Sequence, residues 1–296
     1  MKNQNFKSGF VSIIGRPNVG KSTLLNALVG EKIAIISDKP QTTRNKILAI
    51  RNTDDAQIIF TDTPGIHKPK NKLGEYMVKV ANESVGEMDA VLFVVDATNK
   101  TTEPERKIAQ NLRALRVPVI LVINKVDLAR KESLLPMIAD FSSLHDFEAI
   151  VPVSALKNDG VDRLLNEIMQ NIPQGPAFFP DDMITDQPEK QIAAEIIREK
   201  LLWLLDKEVP HGIAIEILQM KEQDKLTSIQ ANIYCEKASH KGIIIGKNGA
   251  VLKKVGTMAR IDIQKMLGKK VYLELWVKVK SDWRNNNYLI RNFGYE

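Results

Sequence analysis

An octapeptide near the N-terminus, "GRPNVGKS", has the residue types and spacing of a phosphate-binding loop. Its glycines let backbone N–H groups approach phosphate oxygens, and the helix expected after it adds a favourable dipole. Lys21 would reach the β- and γ-phosphates, and the Ser22 hydroxyl would be a ligand of Mg²⁺. The loop therefore predicts a nucleoside triphosphate site. The residues expected to line this site are Gly15, Arg16, Pro17, Asn18, Val19, Gly20, Lys21, Ser22 and Thr23.

A second motif, "DTPG", stands at the end of the apolar run "AQIIFTD". An acidic residue there, Asp62, can hold the Mg²⁺ shell, and the Gly65 amide can meet the γ-phosphate. The alternative is a Pro-Gly turn that only ends a strand. We expect nucleotide contacts from Asp62, Thr63, Pro64 and Gly65.

A third motif, "NKVD", ends the apolar run "VPVILVI", and "SAL" follows the next such run. The Asp127 carboxylate offers two acceptors, which match the N1–H and N2–H₂ donors of guanine but would face the N1 acceptor of adenine. An unpaired buried polar group costs about 1–3 kcal/mol, so this carboxylate favours GTP over ATP. Backbone amides of "SAL" could reach the guanine O6. The predicted base-binding residues are Asn124, Lys125, Asp127, Ser154, Ala155 and Leu156.

The stretch "DKPQTTRNK" lies between the first two motifs. A threonine in a mobile loop can sense the γ-phosphate through Mg²⁺. We expect Thr43 to join Ser22 and Asp62 as a metal ligand, with Thr42 as the alternative.

Short apolar runs rich in Ile and Val alternate with helical patterns up to about residue 171. The runs are "GFVSIIG", "KILAI", "AQIIFTD", "AVLFVVDA", "VPVILVI" and "EAIVPVSA". They lack strict alternation, as strands do when a mostly parallel sheet buries them on both faces. Helices are expected at 21–29, 73–86, 103–115, 131–144 and 160–171. This pattern predicts an α/β domain with a P-loop and a doubly wound, mostly parallel sheet.

The stretch "IPQGPAFFPDDMITDQP" contains four prolines and a glycine, which disfavour helix and sheet. Beyond it the pattern changes. We expect a helix at 189–207, strands at 212–220 and 227–236, a short helix before Gly246, a longer helix at 249–266 and a strand at 270–280. We therefore expect a nucleotide-binding domain at 7–172, a linker at 173–188 and an α+β domain at 189–296.

The charge of the chain is uneven along its length. Residues 237–280 hold 11 Lys or Arg against two acidic residues, whereas residues 1–187 hold 23 of each sign. A solvated helix face would account for a few such charges, but this local excess favours a polyanion-binding surface. No apolar run approaches the ~20 residues that span a bilayer, and one cysteine cannot form an internal disulfide. We expect a cytoplasmic protein.

The order of these motifs at successive strand ends resembles the Ras-like superfamily of GTPases over about residues 7–172. Ile66 stands where many of these GTPases carry the Gln that orients the attacking water. The resemblance implies that a monovalent cation, K⁺, held partly by Asn18, supplies positive charge during hydrolysis, as an arginine finger does. It also implies slow intrinsic hydrolysis; His67 is a weak candidate base. The residues expected to act in hydrolysis are Lys21, Asn18, Thr43 and Gly65.

A second glycine loop occurs in "HKGIIIGKNGAVLKK". Lys247 is followed by Asn248, which cannot replace the Mg²⁺-binding hydroxyl, so a second triphosphate site is not expected. The tetrad resembles the GXXG loop of a type II KH domain, which clamps the backbone of single-stranded RNA. A plain helix-helix turn with a glycine C-cap is the alternative. The predicted RNA-binding residues are Lys241, Gly242, Gly246, Lys247, Asn248, Gly249, Lys253 and Lys254.

A Ras-like GTPase followed by a type II KH domain resembles the Era family, and "QTTRNK", "DTPGIH" and "SALKNDGVD" fit that family closely. The resemblance implies GTP as substrate, Mg²⁺ as cofactor, and binding to 16S-like rRNA near its 3′ end during small-subunit assembly. It also implies possible peripheral contact with the cell membrane, and a monomer is the expected state. A P-loop ATPase or kinase and an RNA-binding scaffold with a merely structural nucleotide are the alternatives.

Aromatic residues recur in the tail "DWRNNNYLIRNFGYE". Trp283, Tyr288 and Phe293 could stack on RNA bases, or they could pack a terminal helix onto its own domain.

Overall fold

The computed structural model describes residues 5–39, 41–62, 64, 71–83 and 88–295. The chain divides into two compact units. The first takes in Met1–Ala34, Thr43–Lys68 and Met77–Asp186, and the second takes in Ile35–Thr42, Pro69–Tyr76 and Gln187–Glu296. Two segments that sequence places in the nucleotide-binding domain are thus grouped with the C-terminal part. The expected bounds 7–172 and 189–296 stay a prediction.

The first unit is built on a six-stranded sheet in the order β2-β3-β1-β4-β5-β6. Its strands are β1 (Lys7–Gly15), β2 (Ile47–Asn52), β3 (Ala56–Asp62), β4 (Ala90–Asp96), β5 (Val119–Asn124) and β6 (Ala149–Pro152). Only the β2–β3 pair is antiparallel among these paired strands. Strands β3, β4 and β5 are buried throughout, which explains their unbroken apolar sequences.

Helices cover both faces of this sheet. They are α1 (Lys21–Val29), α2 (Lys72–Glu83), α3 (Glu103–Leu112), α4 (Lys131–Leu144) and α5 (Val161–Asn171). One apolar core packs around Leu24, Leu164 and Ile168, and another around Ile108 and Phe141. The predicted doubly wound α/β fold is confirmed. Among the described residues, no helix is long and apolar enough to cross a bilayer.

The parallel strands bring the predicted motifs to one edge of the sheet. Because β1, β3 and β5 run in the same direction, the loops at their carboxyl ends meet there. The loops after β1 and β5 carry "GRPNVGKS" and "NKVD", and β3 ends at Asp62, the first residue of "DTPG".

The second unit has a three-stranded sheet, β7-β8-β9, with a core of apolar side chains from helices packed on it. Strands β7 and β8 are antiparallel, and β8 and β9 are parallel. The elements are α6 (Glu189–Leu204), β7 (Ala214–Glu222), β8 (Leu226–Cys235), α7 (Ala238–Ile245), α8 (Ala250–Leu267), β9 (Lys270–Val279) and α9 (Asn287–Asn292). The expected α+β order is confirmed, with α9 as an added terminal helix.

The proline-rich segment 173–188 is irregular but is held by the first unit. Buried Gln57 accepts hydrogen bonds from the backbone N–H groups of Phe178 (2.7 Å) and Phe179 (2.9 Å) and donates to the Phe179 carbonyl (2.8 Å). Thr185 forms an isolated bridge with Ala49 of β2. Composition indicated the absence of regular structure, but these non-local anchors have no local sequence signal.

Candidate functional site

The loop from β1 to α1 is shaped by close backbone approach. Gly20 has φ +95°, and a Cβ there would lie 2.3 Å from the Asn124 amide nitrogen, so a side chain does not fit. Buried Lys21 donates to the carbonyl oxygens of Gly15 (3.2 Å) and Arg16 (3.0 Å). Burial lowers the pKa of Lys21, and the Asp62 carboxylate opposes that shift. An anionic phosphate would therefore relieve a poorly solvated ammonium group.

The other residues of the phosphate loop differ in their exposure to solvent. Asn18 is exposed with φ 66°, Val19 is buried, and Arg16, Pro17 and Thr23 are half-buried. The Asn18 carbonyl accepts a hydrogen bond from Lys125 Nζ at 2.7 Å. The "NKVD" loop is thereby tied directly to the phosphate loop.

Three oxygen-bearing side chains converge at the start of α1. Ser22 Oγ lies 2.9 Å from Thr43 Oγ1 and 2.8 Å from Asp62 Oδ2, and Thr43 Oγ1 lies 3.1 Å from the same carboxylate oxygen. Two hydroxyls and one carboxylate are hard oxygen donors of the kind that Mg²⁺ prefers. The Thr42 hydroxyl instead donates to the Lys39 carbonyl at 2.6 Å. Of the two threonines considered, the geometry favours Thr43.

Several of the predicted base-binding residues are hydrogen-bonded to one another or to the phosphate loop. Asn124 donates to the Val19 carbonyl (2.9 Å) and accepts from the Ala155 amide (3.1 Å). Ser154 Oγ donates to Asp127 Oδ1 at 2.7 Å, which orients the carboxylate expected to meet guanine. Leu156 is largely exposed, so its side chain is available at the rim.

Asp96 also bonds one of these residues, Lys125, but was missed from the sequence. Its carboxylate lies 2.6 Å from Lys125 Nζ and accepts from the Thr98 amide (2.9 Å) and hydroxyl (2.6 Å). Burial opposes ionisation, yet the hydrogen bonds from Lys125 and Thr98 lower the pKa of Asp96 below its usual value. The available signal was its place as the last residue of a buried strand, as Asp62 is.

Part of the "DTPG" prediction lies outside the described residues. Thr63, Gly65, Ile66 and His67 are not among them, and Pro64 is described as buried. The roles expected of Gly65 and of the positions after it stay predictions.

The second glycine loop lies between α7 and α8. Gly246 and Gly249 have φ +73° and +77°, and Asn248 also has a positive φ of 52°. Lys241 and Gly242 are exposed on α7, and Lys247, Asn248, Lys253 and Lys254 are exposed on the loop and α8. All eight predicted RNA-binding residues therefore lie on one helix-loop-helix element.

A groove of about 540 Å³ runs beside this loop. One wall is a face of α8 formed by residues spaced three and four positions apart along the helix. The other wall is the edge of β9. Its lining residues are Gly249, Leu252, Lys253, Gly256, Thr257, Arg260, Tyr272, Leu273 and Leu275. Apolar walls with a cationic rim suit unstacked bases on a phosphate chain. Tyr272 was not predicted to lie here, because only the fold brings β9 beside α8; Arg260 of α8 also lines the groove.

The tail aromatics pack onto their own domain. The Trp283 ring is buried, its Nε1–H donates to the Gly212 carbonyl at 2.9 Å, and Phe293 contacts both Trp283 (5.3 Å) and Tyr234 (4.8 Å). Tyr288 alone of the three predicted residues is exposed. The packing alternative is confirmed for Trp283 and Phe293.

Comparison with known families matches two parts of the chain. Residues 10–125 match the family described as 50S ribosome-binding GTPase, and residues 208–284 match the KH domain family. Both matches cover the glycine loops described above.

Full-length relatives are similar across almost the whole chain. GTPase Era of Ruminiclostridium cellulolyticum is 57% identical, covering 99% of this chain and 98% of the relative. GTPase Era of Alkaliphilus metalliredigens is 56% identical, with 99% and 100% covered. That of Clostridioides difficile is 55% identical, with 98% and 99% covered.

Two solved structures share the complete fold. A variant of Aquifex aeolicus Era bound to GDP·AlF4⁻ has a TM-score of 0.94 and 45% identity, covering 98% of this chain and 99% of that one. Era in complex with MgGDPNP and nucleotides 1506–1542 of 16S ribosomal RNA has the same TM-score, identity and coverage. With identity above half over nearly the entire length, and with both domains and both glycine loops present, this chain belongs to the Era family of GTPases.

Proposed function

We propose that this chain is a GTP-hydrolysing switch that binds 16S-like rRNA near its 3′ end and acts in assembly of the small ribosomal subunit. The observation that carries the proposal is a basic groove beside the GKNG loop, on the same chain as a guanine-type nucleotide site. The similar Era structure with MgGDPNP and 16S rRNA nucleotides supports the pairing of these two ligands.

In the nucleotide site, each side chain has a role that follows from its place. Lys21 neutralises charge on the β- and γ-phosphates, and Asp127 accepts the N1–H and N2–H₂ donors of guanine. Ser22, Thr43 and Asp62 would hold Mg²⁺, which neutralises charge that develops on the phosphates. Asn124 and Lys125 hold the phosphate loop against the base-binding loop, because each donates a hydrogen bond to a carbonyl of the phosphate loop.

K⁺ is the proposed additional cation. Exposed Asn18 on the phosphate loop is the residue that would help to hold it, as the family resemblance implies. We expect slow hydrolysis that is faster in K⁺ than in Na⁺, and a changed salt preference in Asn18→Asp. Turnover rates in the two chlorides at equal ionic strength test this, and equal rates would exclude it.

In the RNA site, the exposed lysines bind phosphates and the apolar groove walls hold bases. Single-stranded RNA is the fitting ligand, because its bases can be splayed into such a groove. The likeness to an Era structure that holds rRNA supports this choice.

The two sites are proposed to be coupled. γ-Phosphate contacts would order the loop at 37–45 and the segment after Gly65, shifting the equilibrium between RNA-binding and RNA-releasing states. The experiment is to measure affinity for a single-stranded rRNA 3′-end fragment with GDPNP, with GDP and without nucleotide. Different affinities support a switch; three equal affinities would favour an RNA-binding scaffold with a structural nucleotide.

The remaining rival is a P-loop ATPase or kinase. Competition between GTP and ATP for the site discriminates the two readings, because Asp127 has no donor for adenine N1. Preferential binding of ATP would reject the GTPase reading of this site.

We also propose action in the cytoplasm, as a monomer. Peripheral association with the membrane stays a prediction from the family resemblance. Co-sedimentation with anionic vesicles tests the membrane prediction, and sedimentation velocity tests the monomer.

A further inference from the structure

Helix α6 buries three consecutive charged residues. Arg198, Glu199 and Lys200 are each at most 1% exposed. Burying charges is costly unless they are paired and hydrogen-bonded, so such a cluster requires specific partners. Lys200 pairs with Glu199 (2.6 Å) and Asp262 (2.5 Å) inside the second unit.

Further partners include backbone groups of the segment 35–42, which belongs to the same unit. Arg198 donates to the carbonyl oxygens of Thr42 and of Gln41, the latter at 3.4 Å. Its Nε also donates to Glu195 Oε1 at 2.8 Å. The planar guanidinium thus reaches two successive carbonyls and a carboxylate from three separate nitrogens, a fork geometry that the single nitrogen of an ammonium group does not reproduce.

The start of the segment is held by the same helix. Glu199 Oε1 accepts from the Ile36 amide at 2.9 Å, and Trp203 Nε1 donates to the Ile36 carbonyl at 2.8 Å. Lys39 donates to the Leu205 carbonyl and pairs with Asp206 at 2.9 Å. The segment is therefore held by hydrogen bonds near both ends, and Thr42 is its last residue held in this way.

Thr43 follows Thr42 by one peptide bond, and its hydroxyl lies with Ser22 and Asp62. We propose that Arg198 is a positioning residue for GTP binding and hydrolysis: by holding the Gln41 and Thr42 carbonyls, it fixes the backbone that presents Thr43 as a metal ligand. This inference rests on the proposed role of Thr43 in the GTP site. Groups that orient a metal ligand typically contribute 10–100-fold to metal affinity or activity.

The test compares Arg198→Lys with Lys190→Arg, the reverse exchange at an exposed position of the same helix. Affinities for GDPNP and for GDP are measured in Mg²⁺, together with the thermal unfolding of each variant. Because Thr43 is proposed to sense the γ-phosphate, Arg198→Lys should weaken GDPNP about 10-fold and leave GDP unchanged. Lys190→Arg should match the parent for both nucleotides.

A double-mutant cycle with Thr43→Ala separates positioning from general stability. If Arg198 acts through Thr43, Arg198→Lys has no further effect on GDPNP affinity once Thr43 is alanine. An equal loss for both nucleotides, or the same additional loss in the Thr43→Ala background, would overturn the inference. If Arg198→Lys does not fold, Arg198→Gln, which can still donate to one carbonyl, is put through the same cycle.

Failure of the proposed function gives a different result. A parent chain that does not bind GDPNP in Mg²⁺ overturns the nucleotide assignment itself, and this inference with it. If the parent binds GDPNP normally and Arg198→Lys has the same GDPNP affinity as Lys190→Arg, only the positioning role is overturned.

Discussion

At the scale of single residues, the specificity proposed for the nucleotide site depends on one oriented carboxylate, that of Asp127. Ser154 donates to Asp127 Oδ1 at 2.7 Å, and the Ser154 side chain is buried, so the carboxylate is held in one direction. A fixed pair of acceptors discriminates bases better than a mobile one, because it needs no reordering on binding.

Asp127→Asn should therefore invert the preference for the base. An amide presents a donor toward guanine N1–H or N2–H₂, so GTP affinity should fall about 100-fold or more. Xanthosine triphosphate, which has a carbonyl at C2, should bind the variant better than GTP does. Competition titrations with both nucleotides measure this. Ser154→Ala serves as the control, with a smaller loss and an unchanged preference; a variant that still prefers GTP would contradict the assignment.

The pairing of Asp96 with Lys125 predicts a pH dependence of stability. The pKa of Asp96 is lower in the folded chain than its ordinary value, so its ionised form stabilises the fold above about pH 4. That contribution is lost as the pH falls through the lower, folded pKa. Urea unfolding should show Asp96→Asn less stable than the parent at pH 7, with the gap closing in acid. Asp54→Asn, at an exposed site, is the control; a gap that does not vary with pH would contradict this.

At the scale of elements, the two loop glycines between α7 and α8 differ in what surrounds them. A Cβ at Gly246 would lie 2.5 Å from Val251 Cγ2 and 3.0 Å from the Val251 backbone nitrogen. A Cβ at Gly249 would meet nothing within 4 Å. A substitution at Gly246 therefore disturbs the fold. A substitution at Gly249 has room for its side chain and tests the RNA-binding surface.

Gly249→Asp should remove RNA binding and spare nucleotide binding. The new carboxylate would face phosphates in the groove, and like charges brought together weaken binding at least about tenfold. Gly249→Asn has nearly the same shape without the charge, and both side chains tolerate a positive φ better than most. Binding to an rRNA 3′-end fragment should thus fall much further for Asp than for Asn. Equal losses would indicate a steric effect.

At the scale of the whole molecule, the charge excess should appear as a steep salt dependence of RNA binding. Each phosphate neutralised on a single strand contributes about −0.7 to the slope of log K against log salt, so three contacts give about −2. Lys253, exposed on the groove wall, is one expected contact. Lys253→Gln should make the slope shallower by about 0.7, whereas Asp127→Asn should leave it unchanged. A parent slope near zero would argue against phosphate binding.

The division of the chain into units is also a property of the whole molecule. Residues 35–42 group with the C-terminal unit although the sequence around them belongs to the nucleotide-binding half. Buried Arg198 and Glu199 contribute to this grouping, because both need partners and both bond backbone groups of the segment. Lys200 compensates the charge of Glu199. In the sequence, the same three residues look like an ordinary charged stretch of a helix.

The sequence by itself determined the sheet, its helices, the order of the second domain and the four glycine- and carboxylate-bearing motifs. Those features depend on neighbouring residues: backbone amides in a short loop, apolar runs in a strand, charges along one helix. Only the tertiary structure placed the Thr43 hydroxyl, and not that of Thr42, beside Ser22. It also paired Asp96 with Lys125, placed Tyr272 beside α8, anchored the segment 173–188 through Gln57, and linked Arg198 to the backbone before Thr43. Each of these depends on a buried polar group or surface whose partner is distant in the chain, and local propensity carries no information about which distant partner satisfies it.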